Sequence, residues 1–297
     1  MKVLVTGGAG FIGSNLVDRL LSLGHDVTVI DNESAESNAQ FYWNKKANNY
    51  KHDICDYEKI ASLFIGVDCV FHLASDARIQ PAILNPRASI QSNAVGTANV
   101  IELSRINKVK RFIYSSTSSA YGKEATIPNV ETQTSDPLTP YSTAKVFGEN
   151  LARVYYNLYG LETISLRYFN VYGNRQPLKG QYAPVIGLFL KQYYEGKPLT
   201  VVGDGLQRRD FTNIEDAVNA NILAMDCTIE NYGEVFNVGY GKNYSILEIA
   251  KSISEDIIFI PSRLGEVRET LSDSTKIKTQ MNWEPKIILS DWIKTQL

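Results

Sequence analysis

The residues Thr6-Gly7-Gly8-Ala9-Gly10-Phe11-Ile12-Gly13 fix more of this chain's architecture than any other stretch. They follow the short run Val3-Leu4-Val5 directly, and behind them Ile12, Leu16, Leu20 and Leu23 recur at near-helical spacing before Gly24. The spacing predicts a strand that passes into a helix through Gly7, Gly10 and Gly13. A residue without Cβ makes the tight turn. The helix N-terminus then offers unpaired N–H groups and partial positive charge to an anion. Gly13 lets the helix pack closely on the strand.

The pattern repeats along the chain. Val27-Thr28-Val29-Ile30 reads as a strand ending at Asp31, and Cys69-Val70-Phe71, Phe112-Ile113-Tyr114 and Thr163-Ile164-Ser165-Leu166 read as further strands. Helical stretches fit at about 87–106 and 141–159. Such alternation predicts an α/β fold, a Rossmann-like doubly wound parallel sheet covered on both faces. Past Tyr172 the pattern loosens. Helices are predicted near 183–195, 214–226 and 245–253, with strands at Leu199–Val202 and Val235–Val238. The division expected is a dinucleotide-binding domain over 1–170, with a return segment near 206–240, and a smaller α/β substrate domain over 171–297. The polar segment 33–50 has no clear period and reads as a surface loop.

Composition removes several classes of function. The 30 Lys and Arg against 32 Asp and Glu give a net charge of −2, which excludes a strongly basic nucleic-acid binder. The longest charge-free run, Val3 to Val17, is broken by four glycines, so no membrane span is expected. Cys55, Cys69 and Cys227 form no CxxC pair, and His25, His52 and His72 form no HExxH pattern, so no metal site is expected. A cytoplasmic compartment is the expectation. His72 reads as structural, Tyr155, Tyr156 and Tyr159 as a packing face, and Lys108–Arg111 as a solvated turn.

Two constellations carry chemistry. Asp31, eighteen residues past Gly13, can accept hydrogen bonds from ribose hydroxyls and would repel a 2′-phosphate, which favours NAD over NADP. Tyr141 and Lys145 stand at i and i+4 on one helix face, where an ammonium would lower the phenol's pKa and fit it to take a proton from a sugar hydroxyl. The hydroxyl-rich loop Ser115–Ser119 follows a strand, and strand ends in such sheets point at the ligand crevice.

These features occur in order, together with His72-Leu73-Ala74, Arg167–Gly173, Gly203-Asp204-Gly205 running into Arg209-Asp210-Phe211, Arg263–Glu266 and Asn282–Pro285. On them the sequence resembles the NAD-dependent epimerase/dehydratase family of extended short-chain dehydrogenase/reductases, nearly end to end. The resemblance implies that Gly7, Gly10, Phe11 and Ile12 contact the pyrophosphate, Asp31 and Asn32 the adenosine ribose, and Asp53 and Ile54 the adenine. It implies that Leu73, Ala74 and Ser75 line the cofactor cleft with Asn93 near, and that Ser115 and Tyr168 border it. By the same resemblance Tyr141 is the base, Lys145 its tuner and Thr117 the catalytic hydroxyl, while Asn170, Arg209, Arg263 and Glu266 hold the nucleotide-sugar diphosphate and uridine.

The family's reactions begin with oxidation at C4 of the hexose by NAD. Where its 4,6-dehydratases carry Thr-Asp-Glu, this chain has Thr117-Ser118-Ser119, and its UDP-glucuronate decarboxylases usually carry Glu at the position of Ser119. Serine is a poor acid or base. The resemblance therefore implies a 4-epimerase of the UDP-glucose/UDP-galactose type, with dehydratase or decarboxylase as the alternative and an inactive NAD-binding sensor as the reading from another class. Thr270 falls where some members carry a bulky residue, so UDP-GlcNAc and UDP-GalNAc are implied as further substrates. Asp76 departs from the family's small or apolar residue. A homodimer through the helices near 87–106 and 141–159 is implied, with Ala88, Val95, Val146 and Leu151 as compatible apolar positions.

Overall fold

The computed structural model describes residues 1–35, 38, 40–123, 126–178, 183–263, 265 and 267–297. In chain order, β1 (Lys2–Thr6), α1 (Phe11–Ser22), β2 (Asp26–Asp31) and β3 (Asn48–Lys51) are followed by α2 (Tyr57–Ile60), β4 (Cys69–His72), α3 (Ile79–Leu84), α4 (Pro86–Ile90) and α5 (Gly96–Ile106). Next come β5 (Arg111–Thr117), α6 (Pro140–Tyr159), β6 (Glu162–Tyr168), β7 (Val171–Tyr172), α7 (Val185–Tyr194), β8 (Leu199–Val202), β9 (Arg208–Asp210) and β10 (Thr212–Asn213). The chain ends with α8 (Ile214–Asp226), β11 (Glu234–Val238), β12 (Asn243–Ser245), α9 (Ile246–Ile253), β13 (Ile257–Ile260), α10 (Thr275–Met281) and α11 (Leu289–Lys294).

Seven strands form one parallel sheet in the order β11-β6-β5-β4-β1-β2-β3. Because side chains alternate across a strand, β1 sends Val3 and Val5 to one face and Leu4 to the other. The first face packs on Leu16, Val17 and Leu20 of α1 and on Val218 and Ile222 of α8. The second packs on Val100, Ile101 and Leu103 of α5 and on Ala152 of α6. The sheet is thus buried on both sides, as its unbroken apolar runs demand. Strand order reverses between β1 and β4, which opens a crevice at their C-terminal ends. A third core holds Phe189, Leu190, Leu199, Val201, Ile249 and Ile293, around the small pairs β7 with β10 and β8 with β13.

Three expectations need correction. The end of segment 33–50 is not loop but β3, an exposed strand at the edge of the sheet; with no face to bury, it shows no apolar alternation. The helix expected over 87–106 begins at Pro86, capped by Asn85, and is interrupted by a π-helical turn over Gln91–Val95. Lys108 and Lys110 are exposed, but Arg111 is buried. It pairs with Glu162 at 2.7 Å and donates to the carbonyls of Ala224, Met225 and Cys227, tying β5 to the end of α8. The three tyrosines of α6 do pack: Tyr155 donates to Glu102, Tyr159 meets Tyr155 edge-on, and Tyr156 meets Tyr232.

Candidate active site

A cleft of about 1180 Å³ opens at the strand reversal. The glycine turn forms its floor. Gly7 has φ +70°, and a Cβ there would lie 2.6 Å from the Ala74 nitrogen; one on Gly13 would lie 2.1 Å from the Gly7 oxygen. Both positions therefore require glycine. Gly10 caps α1 with no side-chain hydrogen bond and no acid stands in the first helical turn, so the α1 amides meet the cleft as a site for an anion. At the tip of β2, Asp31 accepts from the amides of Ala9 at 3.1 Å and Glu33 at 2.8 Å. Burial raises its pKa against those two bonds. Asn32 Nδ2 donates to Asp53, which also accepts from the Cys55 amide, and Asn99 holds the carbonyls of Ile54 and Cys55.

The wall after β4 is set by two buried polar side chains. Thr97 Oγ1 donates to the Asn93 carbonyl, so it accepts from His72 Nε2; Thr6 Oγ1 accepts from the Ala74 amide and donates to His72 Nδ1. The bonding pattern assigns His72 the neutral Nε2–H tautomer, and burial together with the Lys145 charge pulls its pKa down to about 3. Asn93 accepts from Ser75 Oγ and the Asp76 amide and donates to the Asp76 carbonyl. Asn93 itself does not line the cleft, a correction to its expected place. It stands behind the wall and shapes the loop of Leu73, Ala74, Ser75 and Asp76, all of which do line it.

The opposite wall joins β5, α6 and β6. Thr139 caps α6 through a reciprocal pair with Ser142, and Pro140 enters the first turn. This places Tyr141 and Lys145, both buried, on the cleft face of α6. Thr117 accepts from the Ser119 amide at 3.1 Å and lines the cleft beside Tyr141. The expected lowering of the tyrosine by Lys145 is not what the structure gives. Burial raises the Tyr141 pKa, opposed by the neighbouring Thr117 hydroxyl and by the charge of Arg78. Burial also pushes Lys145 down to about 7, its ammonium 4.6 Å from the ring centre of Tyr114. Ser115 donates to the Tyr168 hydroxyl, which donates to Asn221.

Asn170, Arg209, Arg263 and Thr270 line the same cleft; Asn170 is pinned by donation to the Asp210 carbonyl at 2.7 Å. Glu266 lies outside the described residues. Every other residue expected to touch cofactor or substrate, Asn93 excepted, lines this one cavity. Sequence reasoning missed Arg78, which lines it too, and gave no role to Asp76; both charges act on Tyr141. Among the described residues no cluster of three His, Cys, Asp or Glu could hold a metal, and no helix is long and apolar enough to cross a membrane.

Comparison with known proteins decides the class. The profile of the NAD dependent epimerase/dehydratase family matches residues 3–239. The chain belongs to that family. Within this epimerase/dehydratase family it is 32% identical to the UDP-glucose 4-epimerase of Mycolicibacterium smegmatis, over 99% of this chain and 96% of that one. The crystal structure of Thermotoga maritima UDP-glucose 4-epimerase with UDP-glucose superposes with a TM-score of 0.93 at 34% identity, covering 99% of both chains. That of Bacillus cereus UDP-glucuronic acid 4-epimerase with UDP-glucuronic acid and NAD gives 0.89 at 31%, covering 100% of this chain and 98% of that one. The family's cofactor is NAD, and the residues fit it: a glycine cradle that a Cβ would fill, uncapped helix amides for the pyrophosphate, and a strand-end carboxylate for the ribose.

Proposed function

We propose that this chain is a UDP-hexose 4-epimerase that interconverts UDP-glucose and UDP-galactose. NAD, when bound, supplies a reversible two-electron acceptor for the sugar's C4. Gly7, Gly10, Phe11 and Ile12 hold its pyrophosphate, Asp31 its adenosine ribose, and Lys145 its nicotinamide ribose. Tyr141 takes the O4 proton as C4 is oxidised, and Thr117, which lines the cleft beside Tyr141, steadies that oxygen. The 4-keto sugar then turns, and Tyr141 returns the proton on the reverse path. Arg209 and Arg263 take the diphosphate, whose oxygens suit guanidinium forks. The part of the chain beyond residue 170, apart from the return segment that gives α8 and β11 to the main sheet, serves as the nucleotide-sugar lobe.

The observation that carries this reading is Thr117, Tyr141 and Lys145 lining one cleft, at a strand end that continues as Ser118 and Ser119. Those serines leave a 4,6-elimination or a decarboxylation without an acid or base on that side of the sugar, while epimerisation needs none. Incubation with UDP-glucose, UDP-GlcNAc and UDP-glucuronate, followed by product NMR and mass, tests it. An isomer of unchanged mass is the expected product. Loss of water or CO₂ would replace the reading with dehydratase or decarboxylase, and binding without turnover would make the chain a sensor.

One observation favours a second substrate. Arg78 lines the cleft and its charge reaches Tyr141, so a C6 carboxylate on the sugar would meet a cation there. UDP-glucuronate is therefore the second substrate in the same assay. The helix faces of α3–α5 and α6 also leave Leu84, Ile90, Val95, Phe147, Val154 and Leu158 exposed. Their joining two chains into a homodimer is part of the proposal, and sedimentation reads it directly.

A further inference from the structure

A third buried side chain shares the α6 face of Tyr141 and Lys145. Glu149 stands one helical turn beyond Lys145, as Lys145 stands one turn beyond Tyr141. Both of its oxygens are held. Oε1 accepts from Ser116 Oγ of β5 and from Arg167 Nε of β6 at 2.8 Å, and Oε2 accepts from Arg167 Nη2 at 2.7 Å. The Arg167 guanidinium is buried in turn, 4.5 Å from the ring centre of Tyr121. This bidentate pair leaves the carboxylate no freedom to swing toward Lys145, so it acts on the ammonium through space.

The groups that face Lys145 come from three elements. α6 supplies Tyr141 and Glu149, β5 supplies the Tyr114 ring, and β4 supplies His72, which is neutral. Of these, Glu149 is the anion whose charge acts on the ammonium. The balance is simple. With Tyr141 neutral, Lys145, Glu149 and Arg167 sum to one positive charge, and ionising Tyr141 brings the cluster to zero. Without Glu149 the buried Lys145 ammonium would have no anion acting on it against the cost of burial, so Lys145 would lose its proton.

We propose that Glu149 is a positioning residue of the reaction: clamped by Arg167 and Ser116, its carboxylate is the fixed counter-charge that keeps the Lys145 ammonium charged beside Tyr141. What the ammonium does rests on the epimerase reading; where the charges sit does not. The test has one readout for each. In the whole protein, the ¹³Cε resonance of Lys145, assigned by its loss in Lys145→Arg, is followed against pH. Its titration midpoint falls by about one pH unit or more in Glu149→Gln, is unmoved in Ser116→Ala, which removes a hydrogen bond and no charge, and returns toward wild type in Glu149→Asp. In the epimerase assay the alkaline limb of the pH profile falls with it.

Should Glu149→Gln leave a buried cation that prevents folding, Glu149→Gln with Arg167→Gln removes both charges of the clamp. Arg167 does not act on Lys145, so the midpoint falls there as well. An unmoved midpoint in either variant overturns the proposal, whatever happens to the rate. A shifted midpoint in a protein whose wild type turns over no nucleotide sugar leaves Glu149 as the counter-charge and removes the epimerase.

Discussion

The Thr117 hydroxyl, at the C-terminal end of β5, stands beside the phenol of Tyr141 in the first turn of α6 and opposes the burial that raises its pKa. A sugar O4 that meets the phenol therefore meets the threonine as well. Tyr141→Phe removes the proton acceptor and leaves the ring in place. Turnover should fall by about 10²- to 10⁴-fold, with NAD content, measured by absorbance after acid release, unchanged. Thr117→Ser keeps the hydroxyl and should cost far less than Thr117→Val. Near-normal turnover of Tyr141→Phe would refute the assignment of the base.

The glycine turn makes a second, steric prediction. A methyl on Gly13 would sit 2.1 Å from the Gly7 oxygen, so α1 has to move away from the turn that its own N-terminus completes. Gly13→Ala should lose NAD by at least tenfold in titration calorimetry. Gly24 also has a positive φ, +81°, but a Cβ there would meet nothing within 4 Å, so Gly24→Ala pays only backbone strain, about 1 kcal/mol, and keeps NAD affinity. Equal losses in the two variants would mean that the turn does not hold the cofactor.

How much of this was legible follows from distance along the chain. Gly7, Asp31, Tyr141 and Lys145 could be placed because a strand end, or a spacing of four on a helix, sets a side chain's direction from local sequence alone. Glu149 continues the same spacing and was open to the same reading. Arg78 was not, since nothing in 73–85 says which side chain of an irregular loop turns inward. The place of Asn93 depends on a π-helical turn that only its packing against the 75–76 backbone explains. Strand β3 was missed because a polar edge carries no period, and Arg111 was misplaced because its partners lie far along the chain, Glu162 on β6 and the carbonyls at the end of α8.

His72 fixes the direction of a pH effect on stability. Its folded pKa of about 3 lies below the ordinary 6.5 of an unfolded chain. The neutral ring therefore stabilises the fold fully above pH 6.5, and that contribution is lost as pH falls toward 3. Asp210 works the other way: burial lifts it from 3.8 to about 6, so its part is present below 3.8 and lost as pH rises through 6. Comparing wild type with His72→Gln cancels the aspartate. Between pH 6.5 and 4.5 the wild type should lose up to about 1.4 kcal/mol per pH unit more than the variant in urea unfolding. Parallel stability curves would show that His72 is not held neutral.

Thr270 bears on which sugar the cleft accepts. It is 6% exposed, lines the cleft, and its Oγ1 has no hydrogen-bond partner among the described residues. A buried hydroxyl without a partner is costly, and a ligand's polar group on the cleft side would satisfy it. The side chain is also small, so a sugar bearing an N-acetyl group has room that a larger residue would take. Thr270→Tyr fills that space. The ratio of kcat/KM for UDP-GlcNAc over UDP-glucose should drop about tenfold or more, because the ring obstructs the acetamide and spares the plain hydroxyl. Thr270→Val keeps the volume and removes the hydroxyl, so it should leave that ratio near the wild type's while raising KM for both sugars. A wild type that turns over UDP-glucose and not UDP-GlcNAc ends the argument from room, and a ratio that moves in Thr270→Val would assign the selection to the hydroxyl rather than to size.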